Sequence, residues 1–326
     1  MSIYIRELAR ELTLHGAEVD IFSRTHGPRD SRIVTIAPHA RLIHLDAGPP
    51  ETPKDQLRNY IPEFIHNLQE FVCQENSQYD VIHSHYWLSA LAGLPLARNW
   101  DIPHISTFHT LQMIKLMALP EERPDNTRAP SEEKIAKSTD AIIVSDSHEK
   151  EFLMHFYGVL PSRIHIVPCG VDTALFHPMD RSQSKQAIGT DGKPLVLFVG
   201  RLDPLKGTDL LLYAISMLNE TSDSELLIVG GESQEEPEME RLKGLTKQLG
   251  LTDLVRFEGS IPHNKLPLYY NAAEVLVMPS YAESFGLTAL EAMACGTPVI
   301  AARVGGLASL INDGSTGYLV PWHRPD

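Results

Sequence analysis

Two glutamates with seven residues between them, Glu283 and Glu291, bracket a Ser-Phe-Gly-Leu-Thr segment at 284–288. The apolar run 273–279 before them predicts a buried strand, and the apolar residues of 287–294 recur at helical spacing. Free N–H groups and the helix dipole attract anions at a helix N-terminus, so this turn predicts a phosphate site with a carboxylate on each side. Taken alone, such a pair is more often a loop carboxylate and a solvated helix residue.

A second charged segment, Gly-Arg-Leu-Asp-Pro-Leu-Lys-Gly at 200–207, carries the cations Arg201 and Lys206. It lies between a buried strand predicted at 194–199 and an amphipathic helix predicted at 208–219. Ligands bind doubly wound sheets at the carboxyl ends of parallel strands, where two cations can neutralise the charge that develops on a departing diphosphate. As lone surface cations they would contribute nothing. Because the turn at 284–288 is also predicted to bind phosphate, the two cations favour a nucleotide diphosphate as the ligand.

Apolar strand-like runs alternate with helical patterns along the chain, which is typical of parallel α/β sheets. The predicted strands lie at 17–22, 41–45, 80–84, 103–107, 141–145, 164–167, 194–199, 225–229, 254–257, 274–278, 298–301 and 317–320. The polar, turn-rich segment 177–193 predicts a linker between an N-terminal domain at 1–176 and a C-terminal domain at 194–326. A cleft between the two domains would hold the substrates.

Length and composition narrow the class of protein. The 326 residues suffice for two domains, and the chain has no run of 18 apolar residues and no basic-then-apolar leader, so we expect a cytoplasmic protein without a membrane span. The net charge of −14 argues against a nucleic-acid surface. Three distant cysteines predict reduced, buried thiols and neither a disulfide framework nor a zinc site: Cys73, Cys169 and Cys295.

The histidines are unevenly distributed, since 13 of the 15 precede residue 180. His83 and His85 end the strand predicted at 80–84, and His109 follows the strand predicted at 103–107, so all three are expected at one edge of the sheet. Their spacing matches no metal motif, and we predict neither a metal ion nor another cofactor. For His83, packing in the core is as good an interpretation as a functional role.

Seven segments carry a resemblance to a known family, and together they cover nearly the whole chain. They are 3–24, 80–93, 105–110, 167–178, 199–207, 229–233 and 279–302. Taken in order, they resemble the retaining nucleotide-sugar glycosyltransferases of the GT-B fold, which include sucrose-phosphate synthases and the inositol-phosphate glycosyltransferases of mycothiol synthesis. The resemblance implies two Rossmann-like parallel-sheet domains facing a cleft. It also implies metal-independent transfer of a hexosyl group, GlcNAc or glucose, from a UDP-sugar.

The resemblance implies roles on the donor side. Arg201, Lys206 and the helix start would bind the diphosphate, Glu291 the ribose hydroxyls, and Glu283 the hydroxyls of the donor sugar. His109 would contact the sugar near the scissile bond, and the departing β-phosphate would deprotonate the acceptor. The residues implied to bind the donor are Gly200, Gly231, Ser284, Phe285, Gly286, Leu287, Thr288 and Glu291.

Fewer positions imply the acceptor. Mycothiol-type enzymes hold a phosphorylated acceptor where four residues fall in this chain: Lys54, Tyr86, Thr110 and Arg128. The loop 120–130, which carries Arg128, suits a mobile active-site segment or an ordinary surface loop. Inositol 1-phosphate or 3-phosphate is therefore the leading acceptor. Another sugar phosphate, a lipid-linked sugar and a small polyol stay open.

Both ends depart from the family pattern, because the first strand with its double-glycine loop and the last helices are absent, which suggests a truncated chain. The segments 229–233 and 258–266 would frame the base, with uridine implied and adenosine or guanosine left open. A homodimer also stays open.

Three other functions remain as alternatives. A nucleotide-sugar-binding protein without turnover would bind UDP alone, and a GT-B epimerase would release free sugar without an acceptor. A nicotinamide dehydrogenase should show G-x-G-x-x-G, whereas the segment 200–207 contains only Gly200 and Gly207.

Overall fold

The computed structural model of the protein describes residues 3–27, 29–120, 124–190, 192–218, 224–231 and 237–321. The strands in these ranges are β1 Val19–Arg24, β2 Ile33–Ala37, β3 Ala40–Leu45, β4 Ile82–His85, β5 His104–Thr107, β6 Ala141–Val144, β7 Ile164–Ile166, β8 Leu195–Val199, β9 Glu225–Val229, β10 Val255–Gly259, β11 Val275–Met278, β12 Val299–Ala302 and β13 Gly317–Val320. The helices are α1 Ile3–Leu14, α2 Ile61–Glu75, α3 Trp87–Trp100, α4 Gln112–Ala118, α5 Arg128–Ser138, α6 Ser147–Tyr157, α7 Arg181–Ile188, α8 Thr208–Leu218, α9 Pro237–Gln248, α10 Leu266–Ala272, α11 Leu287–Ala294 and α12 Leu307–Leu310.

The chain separates into two compact units. The first comprises Met1–Leu111, Asp125–Val144 and Lys150–Ile166, and the second comprises Gln112–Pro124, Ser145–Glu149 and Val167–Asp326. Each unit has parallel strands with intervening helices, so the predicted α/β class with two Rossmann-like units is confirmed. No helix in the described ranges is long and apolar enough to cross a membrane.

The second unit is built on one six-stranded parallel sheet, with strand order β10-β9-β8-β11-β12-β13. The chain runs outward from β8 through β9 to β10 and then crosses back to β11, which pairs with the other edge of β8. The order therefore reverses between β8 and β11, and ligands of doubly wound sheets bind at such a switch point. Fully buried side chains of the strands form the core, including Leu195, Leu197, Leu227 and Leu276.

The first unit contains two sheets among its described residues. One is parallel with order β4-β5-β6-β7, and the other has order β1-β3-β2, in which β1 and β3 are parallel and β2 is antiparallel to β3. Helices α2 and α3 share a core with both, because Phe71 and Leu96 cluster with Ile43 of β3 and Ile82 of β4. These contacts fix the positions of the strand ends that carry the histidines.

All 12 predicted strands are present, two of them with the predicted ends and the others with ends shifted by at most two residues. The sequence analysis missed β2, Ile33–Ala37, because the residues of this short strand are exposed or half-buried and Thr35 interrupts its apolar residues. The segment 177–193 contains helix α7, which is capped by the Asp180 side chain and packs against α10 within the second unit. The domain boundaries themselves stay a prediction.

The cysteines partly correct the sequence prediction. All three are free, but Cys73 is exposed on α2, whereas Cys295 is buried and Cys169 is half-buried. The prediction of three buried thiols is therefore wrong for Cys73, which occupies the solvent side of an amphipathic helix.

Candidate active site

The loops that follow β8 and β11 are packed against each other at the switch point of the second sheet. Gly207 has φ +64°, and a Cβ atom there would lie 2.3 Å from the carbonyl oxygen of Pro279. The backbone N–H of Tyr281 donates to the carbonyl of Leu205 across 2.8 Å. Only a glycine permits this approach, so the two loops that carry the predicted donor residues form one rigid surface.

This surface joins two predicted site residues, because the Lys206 ammonium lies 2.5 Å from the Glu283 carboxylate. Both side chains are largely buried, with 20% and 14% of their surface exposed. Arg201, by contrast, is exposed at the start of the same loop. Lys206 is therefore held in place by a carboxylate before any ligand binds, whereas the Arg201 side chain lies in solvent.

Helix α11 begins where the sequence predicts an anion site. Gly286, the residue before the helix, has φ +91°, and no side chain caps the helix within the described part of the chain. Its first N–H groups, from Leu287 onward, are the kind that bind phosphate oxygens. Gly305 and Gly306 support this turn from behind, since Cβ atoms there would lie 1.9 Å from the Glu283 carbonyl oxygen and 2.6 Å from the Phe285 Cα.

Glu291 lies inside α11 and is buried, so the interpretation of Glu291 as a solvated helix residue is wrong. Its Oε1 lies 2.8 Å from Nε2 of His263, and its Oε2 accepts a hydrogen bond of 2.7 Å from the Tyr270 hydroxyl. The Thr288 side chain also interacts with the Tyr270 hydroxyl. A carboxylate held in this way is suited to accept hydrogen bonds from ligand hydroxyls.

The loop after β9 also approaches the β8 loop. Gly230 has φ +150°, and a Cβ atom there would lie 1.7 Å from the carbonyl oxygen of Gly200. The sequence analysis named Gly231, which has φ +92°, but the close approach is made by its neighbour. Glu232 and Ser233, the rest of that predicted segment, lie outside the described residues.

In the first unit, the predicted histidines form a cluster at the carboxyl ends of β4 and β5. Nδ1 of His85 lies 2.9 Å from Nε2 of His109, and the His83 ring is 4.1 Å from the His85 ring. The Tyr4 ring packs edge-on against both His85 and His109, with centroids 5.8 and 5.2 Å away. His83 is also hydrogen-bonded to the Thr107 hydroxyl at 2.9 Å.

Burial keeps these imidazoles neutral at pH 7. It lowers the pKa of His83 and of His109 to about 4, with the neighbouring His109 and His104 adding to the effect on His83. For His85, burial and then the charges of His83 and His109 lower the pKa to about 2. A neutral His109 can donate or accept a hydrogen bond but carries no positive charge to a substrate.

The four residues implied to hold the acceptor come together around the ring of Tyr86. The Lys54 ammonium lies 5.0 Å from the ring centroid, and the Arg128 guanidinium lies 5.1 Å from it. Arg128 Nη2 donates to the carbonyl oxygen of Thr110 across 2.7 Å. Arg128 is the first residue of α5 and is buried, so its expected place in a loop is wrong.

Arg128 has a further partner that the sequence analysis did not identify. Its Nε lies 2.6 Å from Oε1 of Glu132, one helical turn later, and Glu132 is fully buried. The Tyr157 hydroxyl donates to the second oxygen of Glu132 across 3.1 Å. The guanidinium is therefore fixed in direction, with Glu132 and Tyr157 behind it and Tyr86 beside it.

The backbone is strained at two of these positions. Tyr86 has φ +79° and ψ 152°, a region occupied almost only by glycine, and His109 has φ +60°. The N–H of Tyr86 donates to the carbonyl of Thr107 across 2.8 Å, which holds this conformation between the ends of β4 and β5. Such strain costs about 1–3 kcal/mol per residue and is concentrated at functional sites.

Comparison with known proteins identifies the family. The family described as Glycosyltransferase Family 4 matches residues 1–175, and the family described as Glycosyl transferases group 1 matches residues 180–326. The whole chain is 39% identical to D-inositol 3-phosphate glycosyltransferase of Thermobifida fusca and 40% identical to that of Acidothermus cellulolyticus, covering 77% and 75% of those proteins. The chain belongs to the GT-B glycosyltransferases.

Solved structures agree with this membership. Sucrose-phosphate synthase from Thermosynechococcus elongatus aligns with a TM-score of 0.92 and 35% identity, over 99% of this glycosyltransferase and 80% of that chain. Anabaena HepE in complex with UDP and glucose aligns with a TM-score of 0.74 over 94% of this chain and 86% of its own. At 19% identity, the second match shows the shared fold alone.

Several residues of the glycosyltransferase site were missed from sequence. His263 and Tyr270 contact Glu291 from 28 and 21 positions away, and no local pattern relates them. The Gly305–Gly306 pair carried a usable signal, because it follows β12, the neighbour of β11, and adjacent glycines at the carboxyl end of a parallel strand indicate close backbone approach.

Proposed function

We propose that this glycosyltransferase is a retaining hexosyltransferase that moves GlcNAc or glucose from a UDP-sugar to inositol phosphate or a similar small phosphorylated acceptor. The observation that best supports a phosphorylated acceptor is the pair of cations at the Tyr86 ring, Lys54 at 5.0 Å and Arg128 at 5.1 Å. The relatives named D-inositol 3-phosphate glycosyltransferase, at 39% and 40% identity over the whole chain, support the same substrate class.

The donor side supports a nucleoside diphosphate. Lys206 and Arg201 would neutralise the charge that grows on the diphosphate as it departs, and the N–H groups at the start of α11 would bind its oxygens. Lys206 is paired with Glu283 before the donor arrives, so Glu283 both positions the cation and can accept hydrogen bonds from sugar hydroxyls. Glu291 would accept from the ribose.

The acceptor side supports an anionic group. Lys54 and Arg128 approach the same ring, and Arg128 is already paired with the buried Glu132. Glu132 offsets only one of the two positive charges, so a phosphate bound by both side chains would be attracted by the charge that remains. The planar guanidinium can bind phosphate oxygens through two parallel hydrogen bonds. Lys54 is exposed and supplies a second cation that can move toward the ligand.

Retention would follow from attack on the face that the diphosphate leaves. The departing β-phosphate takes the proton of the acceptor hydroxyl, while the protein holds the two substrates in position. Burial lowers the pKa of His109 to about 4, so its imidazole is neutral at pH 7 and acts on the sugar as a hydrogen-bonding group. No metal ion takes part in this scheme.

A two-stage experiment tests the proposal. Thermal shifts with UDP, ADP and GDP identify the nucleotide, and matching sugar donors are then offered with inositol phosphates, unphosphorylated inositol, sugar phosphates and polyols. We expect UDP to stabilise the protein most and inositol phosphate to accept the sugar with retained anomeric configuration. Release of a free sugar with an inverted ring carbon, without an acceptor, would identify an epimerase. Nucleotide binding without any turnover would identify a binding protein.

A further inference from the structure

The carboxylate of Glu291 is held by one donor on each oxygen. Nε2 of His263 lies 2.8 Å from Oε1, and the Tyr270 hydroxyl lies 2.7 Å from Oε2. The Glu291 side chain keeps 12% of its surface exposed and His263 keeps 17%, whereas Tyr270 is fully buried. The carboxylate is thus fixed from two sides and still open in one direction.

The hydrogen atoms in this network can be assigned from chemistry. An ionised carboxylate only accepts hydrogen bonds, so Nε2 of His263 must carry its proton and the Tyr270 hydroxyl must donate. Two carboxylate oxygens offer about four acceptor positions in total. With one position on each oxygen occupied by protein, one position on each oxygen is left for a ligand.

The Tyr270 side chain is fixed in one position. It is fully buried, its ring packs 6.0 Å from the Phe176 ring, and burial raises its pKa well above the usual value, so that the phenol stays protonated. The Thr288 side chain interacts with the same hydroxyl. Tyr270 therefore connects the first turn of α11 with Glu291, three residues further along that helix.

We propose that Tyr270 and His263 are positioning residues that aim Glu291 at a vicinal diol, one ligand hydroxyl for each carboxylate oxygen. This inference rests on the proposed function, in which the diol is the 2′,3′-diol of the nucleotide ribose. Its consequence is selectivity, because a 2′-deoxyribonucleotide leaves one aimed acceptor unpaired in a mostly buried site. The site then distinguishes nucleotides by their ribose as well as by their base.

The test compares UDP with 2′-deoxy-UDP and 3′-deoxy-UDP by calorimetry. A hydrogen bond to a charged group is worth enough that wild-type protein should bind each deoxy ligand about tenfold or more weakly than UDP. In Tyr270→Phe, UDP should bind more weakly and the ratio between UDP and the deoxy ligands should fall to within about threefold, because the carboxylate is no longer aimed. A merely structural role for Tyr270 would lower the melting temperature and leave the ratio unchanged.

Matched controls isolate the effect. Tyr269→Phe removes the same atom from the adjacent tyrosine, whose hydroxyl donates to Glu258 at 3.2 Å, and should keep the wild-type ratio. His263→Gln retains an N–H donor, so its preference for UDP over the deoxy ligands should be larger than that of His263→Leu. These two variants test the proposal if Tyr270→Phe does not fold.

The outcomes separate the two proposals. Absence of binding to UDP, ADP and GDP by the wild-type protein would refute the proposed function. Binding of UDP with equal affinity for its deoxy forms, or an unchanged ratio in folded Tyr270→Phe or, where that variant does not fold, in His263→Leu, would overturn the diol inference alone.

Discussion

We call the loops after β8 and β11 with the start of α11 the donor region, after their proposed role. They are built differently from the part of the first unit that carries Tyr86 and the histidines. In the donor region, charged groups are paired with each other before a ligand arrives, as in Lys206 with Glu283, and glycines lock the loops together. In the first unit, two cations approach the Tyr86 ring, the nearby histidines are neutral, and the backbone is strained at Tyr86 and His109. The donor region is therefore held by an ion pair and by glycine contacts, whereas the first unit combines the Arg128–Glu132 pair with a strained backbone and the exposed Lys54.

Because of this difference, the two regions should respond differently to substitutions. Removing a partner from a paired, buried site leaves the other partner uncompensated, so effects should be large and concentrated in turnover or donor binding. Removing the exposed Lys54 from beside the Tyr86 ring should change the binding of one substrate only.

The strongest test is Lys206→Met, which keeps the length of the side chain and removes its charge. We expect kcat to fall about 100-fold to 1,000-fold, because a cation that meets developing charge on the diphosphate is lost and Glu283 is left buried without its partner. Steady-state kinetics measures the effect. Lys243→Met on α9, which removes an exposed lysine, serves as the control, and a normal kcat in folded Lys206→Met would exclude Lys206 from the mechanism.

The second test concerns pH and the neutral histidines. The folded pKa values of His83 and His109 are about 4, below the value of 6.5 expected when unfolded, so the unfolded state binds more protons between these values. The stability contribution is complete above pH 6.5 and is lost as the pH falls toward 4, at about 1.4 kcal/mol per pH unit for each histidine.

Urea unfolding at pH 7.5 and pH 5.5 measures this loss in the first unit. In a Trp322→Phe background, the fluorescence comes from the two remaining tryptophans, Trp87 and Trp100, which are both on α3. The pH dependence should flatten in His83→Asn and should not change in His66→Asn, where the histidine is exposed on α2. An equal slope in both variants would contradict the assignment of neutral buried imidazoles.

The third test uses a glycine. Gly306→Ala places a Cβ atom 2.6 Å from the Phe285 Cα, so the turn at the start of α11 must move. Displacement of about 1 Å can cost up to 100-fold in rate, and we expect kcat/KM for the donor to fall about 10-fold to 100-fold. Gly244→Ala on α9 has no heavy atom within 4 Å of the new Cβ and should be neutral. Equal activity in both variants would show that the turn does not organise the donor site.

The smallest effect is expected for Lys54→Met. The KM for inositol phosphate should rise about tenfold and its salt dependence should weaken, because one screened cation–phosphate contact is lost. The affinity for UDP should stay the same. Arg128 is better tested as Arg128→Met with Glu132→Gln, since removal of Arg128 alone leaves a fully buried carboxylate unpaired. Equal use of unphosphorylated inositol by the wild-type protein would end the phosphorylated-acceptor proposal.

Much of the fold was predictable because buried parallel strands appear as continuous apolar runs, whereas the half-buried β2 does not. The donor site was predictable in part, since the 284–291 motif is contiguous and strand ends carry its residues. His263 and Tyr270 were not, because packing alone brings them to Glu291. Glu132 follows Arg128 by one helical turn on α5, and this pair was missed because the sequence analysis placed Arg128 in a loop. The strain at Tyr86 was equally hidden, as nothing in a tyrosine indicates φ +79°.

That strain has a consequence for attempts to make the protein more heat-resistant. Glycine is the residue that accepts the backbone of Tyr86, so Tyr86→Gly is the kind of substitution that stability-guided engineering would select. The same substitution deletes the ring on which Lys54 and Arg128 converge. At this position a more durable protein and a more selective one are competing goals, and a screen that scores survival after heating would discard the residue that we propose for acceptor binding.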